Sequence, residues 1–186
     1  TGKLDDLSFY KSKEGYLVRT KGGVPKERIQ NDPAFVRTRE NGAEFGQSAY
    51  AGKLLRVAVR NMLLNAGDSR VTSRLTQVMS KVKNYDVTSA RGDRKVSIGL
   101  TDDAAKALLK GFNFNNRALL GTVLFAPYTL DTATGEIDMA TLNTANDISS
   151  ATGATHVSLQ AGFLDLDFET GISDIQYSPK VNLPVE

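Results

Sequence analysis

Cysteine is absent from this chain of 186 residues, and only one histidine is present. The lack of cysteine excludes disulfide bonds, thiolate metal sites and thiol nucleophiles, but it indicates no compartment, because many exported proteins also lack cysteine. A Ser-His-Asp triad would have to use His156, yet no nucleophile elbow or other motif marks a partner for it. We therefore expect His156 to have a structural role in a strand, and we do not expect an enzyme.

Long apolar runs are also missing. No stretch of about 18 apolar residues is present, and the start of the chain lacks the charged segment and apolar stretch of a secretory signal. The sequence therefore predicts no membrane span. It favours the cytoplasm as the compartment, although removal of a leader before Thr1 would leave the same pattern.

The sequence contains no complete metal-binding or nucleotide-binding motif, so no cofactor is predicted. Hydrophobic residues make up 40% of the chain, which is enough to bury one sizeable core or two small ones. Composition therefore predicts a globular protein that folds without covalent cross-links.

The charged residues are distributed unevenly along the chain. Residues 1–100 contain 19 Lys and Arg against 10 Asp and Glu, a net charge of +9, whereas residues 101–186 contain 4 against 11, a net charge of −7. The two values sum to the formal net charge of +2. This asymmetry divides the chain into a basic segment, 1–100, and an acidic domain, 101–186. Such a dipole indicates a partner-facing basic segment or a protein that docks on copies of itself.

Turn chemistry predicts a β-hairpin and then a helix at the start of the basic segment. Two strand-like runs, Leu7 to Ser12 and Tyr16 to Thr20, flank Gly15, which can supply the positive φ of a tight turn. Asp32 can cap a helix that has Pro33 at its first position.

The remaining basic segment is predicted to contain a helical hairpin. Glycines predict a helix break between Asn41 and Gly46, because each costs about 1 kcal/mol relative to Ala. A second helix is predicted from about Ser48 to Leu64. A third helix, capped by Asp68 or Ser69, has an apolar seam of Val71, Leu75, Val78 and Val82. The short connection between them favours an antiparallel pair.

The acidic domain is predicted to be an antiparallel β-sandwich or meander, so the fold class is α+β. Thr101, Asp102 and Asp103 predict a helix start, with the Thr101 hydroxyl as the cap and two carboxylates at the positive end of the helix dipole, and Gly111 stops this helix. Period-two patterns predict strands over Leu119 to Tyr128, Glu136 to Met139, Thr155 to Phe168 and Ile172 to Tyr177. Apolar residues change faces within the third of these strands, which predicts a bulge at Gly162. A short strand is also predicted over Val96 to Leu100.

The pattern D-x-x-T-G-x-x-D occurs twice, from Asp131 to Asp138 and from Asp167 to Asp174. In each copy the first Asp can accept hydrogen bonds from its own downstream backbone and Gly can adopt a positive φ, which predicts two hairpin turns of one design. The alternative is a site for a hard cation such as Ca²⁺, although the spacing is not that of an EF-hand.

Two sets of charged residues are the candidate interaction sites. The basic set comprises Arg37, Arg39, Lys53, Arg56, Arg60, Arg70, Arg74 and Lys81. The acidic set comprises Asp131, Glu136, Asp138, Asp165, Asp167, Glu169 and Asp174. Complementary potentials would steer the basic set of one copy towards the acidic set of another.

Several segments carry a resemblance to known sequences: the opening run from Gly2 to Lys11 with Gly15 to Arg19, then Asp32 to Phe35 with Thr38 to Asn41, and later Phe112 to Asn115 and Gly153 to Val157. They resemble a family of uncharacterised bacterial proteins. The resemblance implies one natural fold whose two halves belong together, and it implies no activity.

Together these patterns predict a non-enzymatic structural or assembly protein that associates with itself, or with another protein, through oppositely charged faces. The alternative is a nucleic-acid-associated protein whose basic helices neutralise phosphates. No zinc knuckle, ribonucleoprotein aromatic motif or complete helix-turn-helix accompanies those basic residues.

Overall fold

A computed structural model describes residues 2–20 and 22–185; Thr1, Lys21 and Glu186 lie outside the described residues. The structure combines helices with antiparallel strands, which confirms the α+β class. The chain forms two compact units, one up to Gly42 and one from Ala43 onward. The division at residue 100 is one of charge, and it stays a prediction.

The first unit contains a three-stranded antiparallel sheet in the order β1-β2-β3. Its strands are β1 (Gly2–Leu4), β2 (Leu7–Ser12) and β3 (Gly15–Thr20). The predicted hairpin is confirmed, with Ser12 paired to Gly15 and Gly15 at φ +120°. Strand β1 was not predicted, because a strand of three residues is too short to show a period.

Helices complete the first unit. Helix α1 (Lys26–Asn31) follows Pro25, and Asp32 then caps a short 3₁₀ turn, Pro33–Phe35, by accepting a hydrogen bond from the Ala34 N–H at 2.9 Å. The predicted capping role of Asp32 is therefore confirmed.

The predicted helix break between Asn41 and Gly46 is wrong. Helix α2 (Val36–Ala58) runs through Gly42 and Gly46 without a break. The chain leaves helical geometry at Val59, which has φ −95° and ψ 18°. Helix α3 (Arg60–Ala66) follows directly. Packing of α2 outweighs the low helix propensity of two glycines, since most helix stability in proteins comes from tertiary contacts.

The core of the second unit forms around helix α4 (Val71–Val82). Three residues of its predicted seam, Val71, Leu75 and Val82, are buried, and Val78 is half-buried against the core. Helix α2 approaches α4 at Gly52, where an added Cβ would lie 3.6 Å from Leu75 Cγ. The rest of the core consists of Ala51, Met79, Val96 and Ala105.

The strand predicted over Val96 to Leu100 is wrong, because this segment is the helical turn α5 (Val96–Gly99). Gly99 lies against the end of α4, so closely that a Cβ on Gly99 would stand 2.3 Å from the Val82 carbonyl oxygen. The close approach buries Val96, which a pattern of five residues does not reveal. Helix α6 (Asp103–Ala107) follows, which confirms the predicted helix start. Its cap is the Asp102 carboxylate, which accepts from the Ala104 N–H at 2.7 Å, and not the predicted hydroxyl of Thr101, which donates to the Ile98 carbonyl oxygen.

The strand predicted over Leu119 to Tyr128 is also wrong. Residues Leu120–Val123 form helix α7, and only Leu124 makes an isolated bridge, to Ile148. The apolar side chains of this segment lie partly in a helical turn, partly at the bridge and partly at exposed positions. Their apparent period of two therefore does not come from a strand.

The C-terminal strands pair as three separate two-stranded antiparallel ladders. They are β4 (Thr129–Leu130) with β5 (Ile137–Asp138), β6 (His156–Leu159) with β9 (Val181–Pro184), and β7 (Gly162–Leu166) with β8 (Ser173–Tyr177). Helix α8 (Thr144–Asp147) lies between β5 and β6.

The bulge predicted at Gly162 is wrong as well. The chain leaves the ladder with β9 after Leu159 and begins a new ladder with β8 at Gly162. The change in apolar face therefore marks a change of pairing partner. A Cβ at Gly162 would lie 3.0 Å from Met62 Sδ, so the glycine allows close packing of β7 against Met62.

Candidate interaction surfaces

The two predicted turns of one design are confirmed in atomic detail. In each turn the Gly N–H donates to the first Asp carbonyl oxygen at 2.8 Å, from Gly135 to Asp131 and from Gly171 to Asp167. The two glycines have φ +76° and +77°. The Asp side chains accept backbone hydrogen bonds within their own turns. Those carboxylates are thus engaged in turn closure, and no cluster of three potential metal ligands occurs in residues 2–20 and 22–185.

Strands β7 and β8 carry the outward part of the acidic set. Asp165 and Asp174 are directly opposite each other in the ladder, so their carboxylates share one face, and both are exposed. Phe163 shares that face, and its ring lies 3.2 Å from where a Cβ of Gly135 would be. The β4–β5 hairpin, which carries the exposed residues Glu136 and Asp138, therefore adjoins the same side of β7–β8.

Glu169, the remaining acidic residue, is bound to the basic half of the chain. Its carboxylate accepts hydrogen bonds from Lys95 Nζ at 2.6 Å and from Ser97 Oγ at 2.8 Å. The hydrogen bonds from Lys95 and Ser97, together with the positive charge of Lys95, lower the pKa of Glu169. The charges separated along the sequence therefore meet here within one copy.

Two members of the basic set are engaged in internal hydrogen bonds. Arg39 Nη1 donates to the carbonyl oxygens of Ile29 at 2.8 Å and Asp32 at 3.0 Å. Arg74, whose side chain is 21% exposed, pairs with Asp68 at 2.8 Å and donates to the Asn113 carbonyl at 2.6 Å. These guanidinium groups fix loops of their own chain, which makes them poor donors to a partner.

The other basic residues are more accessible. Arg37 is 69% exposed and lies 3.8 Å from Glu40. Five more show no ion pair among the described residues, and Arg56 is the half-exposed one of these: Lys53, Arg56, Arg60, Arg70 and Lys81. They lie on α2, on α3, just before α4 and on α4.

Two buried carboxylates that the sequence analysis did not identify hold the loop from Asp86 to Lys95. Glu44, on α2, is 5% exposed; it binds Lys83 Nζ, accepts from the Gly92 N–H at 2.9 Å and lies 3.7 Å from Arg94 Nε. The sequence did not identify Glu44 or Asp86 as buried, because a single acidic residue in a polar segment looks solvent-exposed.

Asp86 is the second buried carboxylate and closes the base of this loop. It is 1% exposed and accepts hydrogen bonds from the N–H groups of Thr88, Ser89 and Lys95 at 3.1, 2.9 and 2.9 Å. Burial by itself raises the pKa of Asp86, but these hydrogen bonds outweigh burial and lower the pKa well below its ordinary value.

The two carboxylates predict that stability falls in acid. Hydrogen bonds from Lys83 and Gly92 lower the pKa of Glu44 from its ordinary 4.5, and the pKa of Asp86 is lowered from 3.8. Their contributions are full above these unfolded-state values and are lost as pH falls through the folded-state values. We expect the free energy of unfolding, from urea titrations, to decline between about pH 5 and pH 3, less steeply in Glu44→Gln. A value that rises over this range contradicts the assignment.

A cleft of about 540 Å³ opens beside this loop, between α2 and the Lys95–Glu169 pair. Gln47, Tyr50, Ser97 and Phe168 contribute to its walls. The charged side chains that line it, Lys95 and Glu169, form an ion pair with each other. His156 lies elsewhere, exposed on β6, with Nδ1 3.1 Å from Thr155 Oγ1.

The amount of exposed surface is large for the mass. The chain exposes 13213 Å², whereas a folded monomer of 20.1 kDa exposes about 8,700 Å², and two separate globules with the masses of the two units expose about 10,200 Å² together. Exposed side chains include many large apolar ones, among them Tyr16, Leu64, Val87 and Ile172, each above 70% exposed.

None of the helices in the described part of the chain is both long enough and apolar enough to cross a bilayer. Comparison with models of protein families, with curated proteins and with solved structures finds no match to this chain. The resemblance to a family of uncharacterised bacterial proteins therefore stays a prediction.

Proposed function

We propose that this protein is a non-enzymatic structural or assembly protein that associates with copies of itself. The observation that supports the proposal is the exposed surface, about 3,000 Å² above that of two separate globules. Stable obligate interfaces bury about 2,000–5,000 Å² in total, or about 1,000–2,500 Å² per partner, so the surplus on each copy is large enough for one or two such interfaces. Exposed large apolar side chains contribute to this surface, and contiguous apolar patches mark interaction sites.

Charge supplies the orientation in this proposal. Asp165 and Asp174 form a like-charged pair on the outward face of β7–β8, an arrangement that is unfavourable unless positive charge approaches it. Lys53 and Arg56 on α2 offer such charge without an ion pair in the described residues. Contact between these unlike surfaces is heterologous, which produces a ring if it closes and a filament if it does not.

We expect light scattering to show a mass above that of a monomer, rising with protein concentration and falling when NaCl is raised from about 50 to about 500 mM, since salt screens exposed charges. A chain that stays monomeric at high concentration in low salt refutes the proposal.

Charge-reversed variants test the proposed contact directly. Asp165→Lys/Asp174→Lys replaces one like-charged pair with another, so the repulsion within the ladder and the stability of the fold are expected to stay close to those of the parent. Lys53→Glu/Arg56→Glu reverses the charge of the proposed contact surface on α2. Each variant alone is expected to have a lower mass than the parent, and an equimolar mixture is expected to recover mass. No recovery on mixing argues against contact between these two surfaces.

The alternative function, nucleic-acid association, draws on the exposed basic residues of α2, α3 and α4. Internal bonding of Arg39 and Arg74 weakens it, because two of the eight predicted basic residues already have acceptors. Gel shifts with DNA and RNA at low salt separate the two functions: phosphate binding fades steeply as salt rises, and no shift at low salt removes the alternative.

A further inference from the structure

The N-terminal sheet has two chemically different faces, which the strand register defines. Residues directly opposite in an antiparallel ladder point to the same side, and Leu4 pairs with Leu7, Phe9 with Val18, and Lys11 with Tyr16. Alternation along each strand then places these pairs on one side of the sheet. The apolar sheet face is defined as Leu4, Leu7, Phe9, Tyr16 and Val18.

The opposite face is more polar. It carries Lys3, Ser8 and Arg19, with Tyr10 and Leu17 between them. Arg19 lies 5.7 Å from the Tyr10 ring centroid, so this aromatic ring already has a cationic neighbour. The polar side chains suit this face to solvent.

Most side chains of the apolar sheet face are exposed. Leu4 is 66% exposed, Phe9 41%, Tyr16 80% and Val18 56%. No described residue up to Gly42 is buried, so this unit has no core of its own. A sheet of three strands depends on its hydrophobic face for stability, and burial of that face removes apolar surface from water.

We propose that this face packs against the same face of a second copy, forming an isologous two-sheet interface; this inference rests on the self-association proposed above. A single contact then covers both apolar faces, as the self-complementary patch of a two-fold dimer requires. Among the described residues on this face, Lys11 is the one with a charged side chain. Its Nζ lies 5.6 Å from the centroid of the Tyr16 ring in the same copy, so no unlike charge is needed from the partner.

The available area agrees with a second copy as the occupant. The exposed parts of the five side chains amount to about 500 Å² per copy, or about 1,000 Å² over the pair, the threshold for a specific interface. This is about a sixth of the surplus surface of two copies, which leaves the charged contact to account for further burial. Packed sheets lie about 10 Å apart, a distance that cross-linkers can span.

Single cysteines test the inference cleanly, because the chain has none. Val18→Cys places a thiol on the apolar sheet face, and the matched control Leu17→Cys places one on the opposite face at the next position. Both parent side chains are partly exposed, at 56% and 40%. A bifunctional maleimide with a reach of about 10 Å is expected to yield at least about five-fold more covalent dimer with Val18→Cys, as read on a denaturing gel.

Charge insertion provides a second measurement on the same two positions. Val18→Lys is expected to weaken dimerisation about ten-fold or more in light scattering, and Leu17→Lys much less, with matched far-UV circular dichroism showing that both fold. A monomeric parent chain refutes self-association itself. If the parent chain associates but the two cysteine variants cross-link equally, or the two lysine variants weaken association equally, only the sheet-face interface is refuted. The same result is expected if another part of the same chain covers this face.

Discussion

Replacing Glu44 with Ala is expected to lower the free energy of unfolding by about 3–5 kcal/mol, a large part of the stability of a typical domain. The substitution leaves Lys83 with a half-buried ammonium group and removes the acceptor of the Gly92 N–H. Breaking a buried pair from one side is costly because the remaining charge is desolvated without compensation. Urea titration monitored by circular dichroism measures the change.

Two controls separate this effect from a general loss of charge. Asp103→Ala removes an ion pair with Lys106 whose side chains are 95% and 58% exposed, and it is expected to change stability far less than Glu44→Ala does, because solvent screens exposed pairs. Glu44→Ala combined with Lys83→Met removes both charges and is expected to recover much of the loss. Equal effects of Glu44→Ala and Asp103→Ala contradict the buried role of Glu44.

Gly99→Ala is the second substitution with a large expected effect, about 2–4 kcal/mol of destabilisation. The new Cβ would lie 2.3 Å from the Val82 carbonyl oxygen and 3.1 Å from the Val82 carbonyl carbon. Both atoms belong to the backbone, so no side-chain rotation relieves the overlap. The turn α5 must move away from the end of α4, which loosens the packing of Val96 in the core.

Gly46→Ala is the matched control for Gly99→Ala. Gly46 is inside α2. Apart from its chain neighbours and the nearby backbone of the same helix, no described atom lies within 4 Å of where a Cβ would be. The same chemical change is therefore expected to stabilise by about 0.5–1 kcal/mol, through helix propensity. Thermal unfolding should move in opposite directions for the two variants, and a shared direction contradicts the packing argument.

Features governed by local chemistry were predictable from the sequence. The cap at Asp32 and the helix start at residues 101–103 were predicted because a short acceptor beside free N–H groups needs no distant partner, although Asp102 and not Thr101 is the cap in the second case. The two turns ending at Gly135 and Gly171 were predicted for the same reason, as each closes with its own side chain. The seam of α4 was predictable because its period extends over three turns.

Features governed by distant contacts were not predictable. Gly46 continues a helix because α2 packs elsewhere along its length, and Val96 begins a helical turn because Gly99 fits against Val82. The apolar side chains from Thr155 to Phe168 changed faces for a reason outside the segment, since β6 and β7 have different pairing partners. In each case the deciding neighbour is remote in sequence.

The candidate interaction sites were predictable in composition but not in accessibility. Counting charges identified Arg74 as well as Lys53, yet Arg74 holds Asp68 and the Asn113 carbonyl, whereas Lys53 is exposed. Glu44 was not selected, although it organises a loop that begins about forty residues further along the chain. Whether a charge serves the interior or the surface depends on packing, which charge patterning does not report.

The two copies of the D-x-x-T-G-x-x-D turn have the same backbone geometry but different structural roles. Asp, Thr and Gly fix its geometry in both copies, and the two residues after the first Asp are left adjustable. In the first copy they are the exposed pair Thr132 and Ala133; in the second they are Phe168, which packs on the core, and Glu169, which grips Lys95. The first turn thus only connects two strands, whereas the second also attaches the β7–β8 hairpin to the helical part of the chain through Phe168 and Glu169.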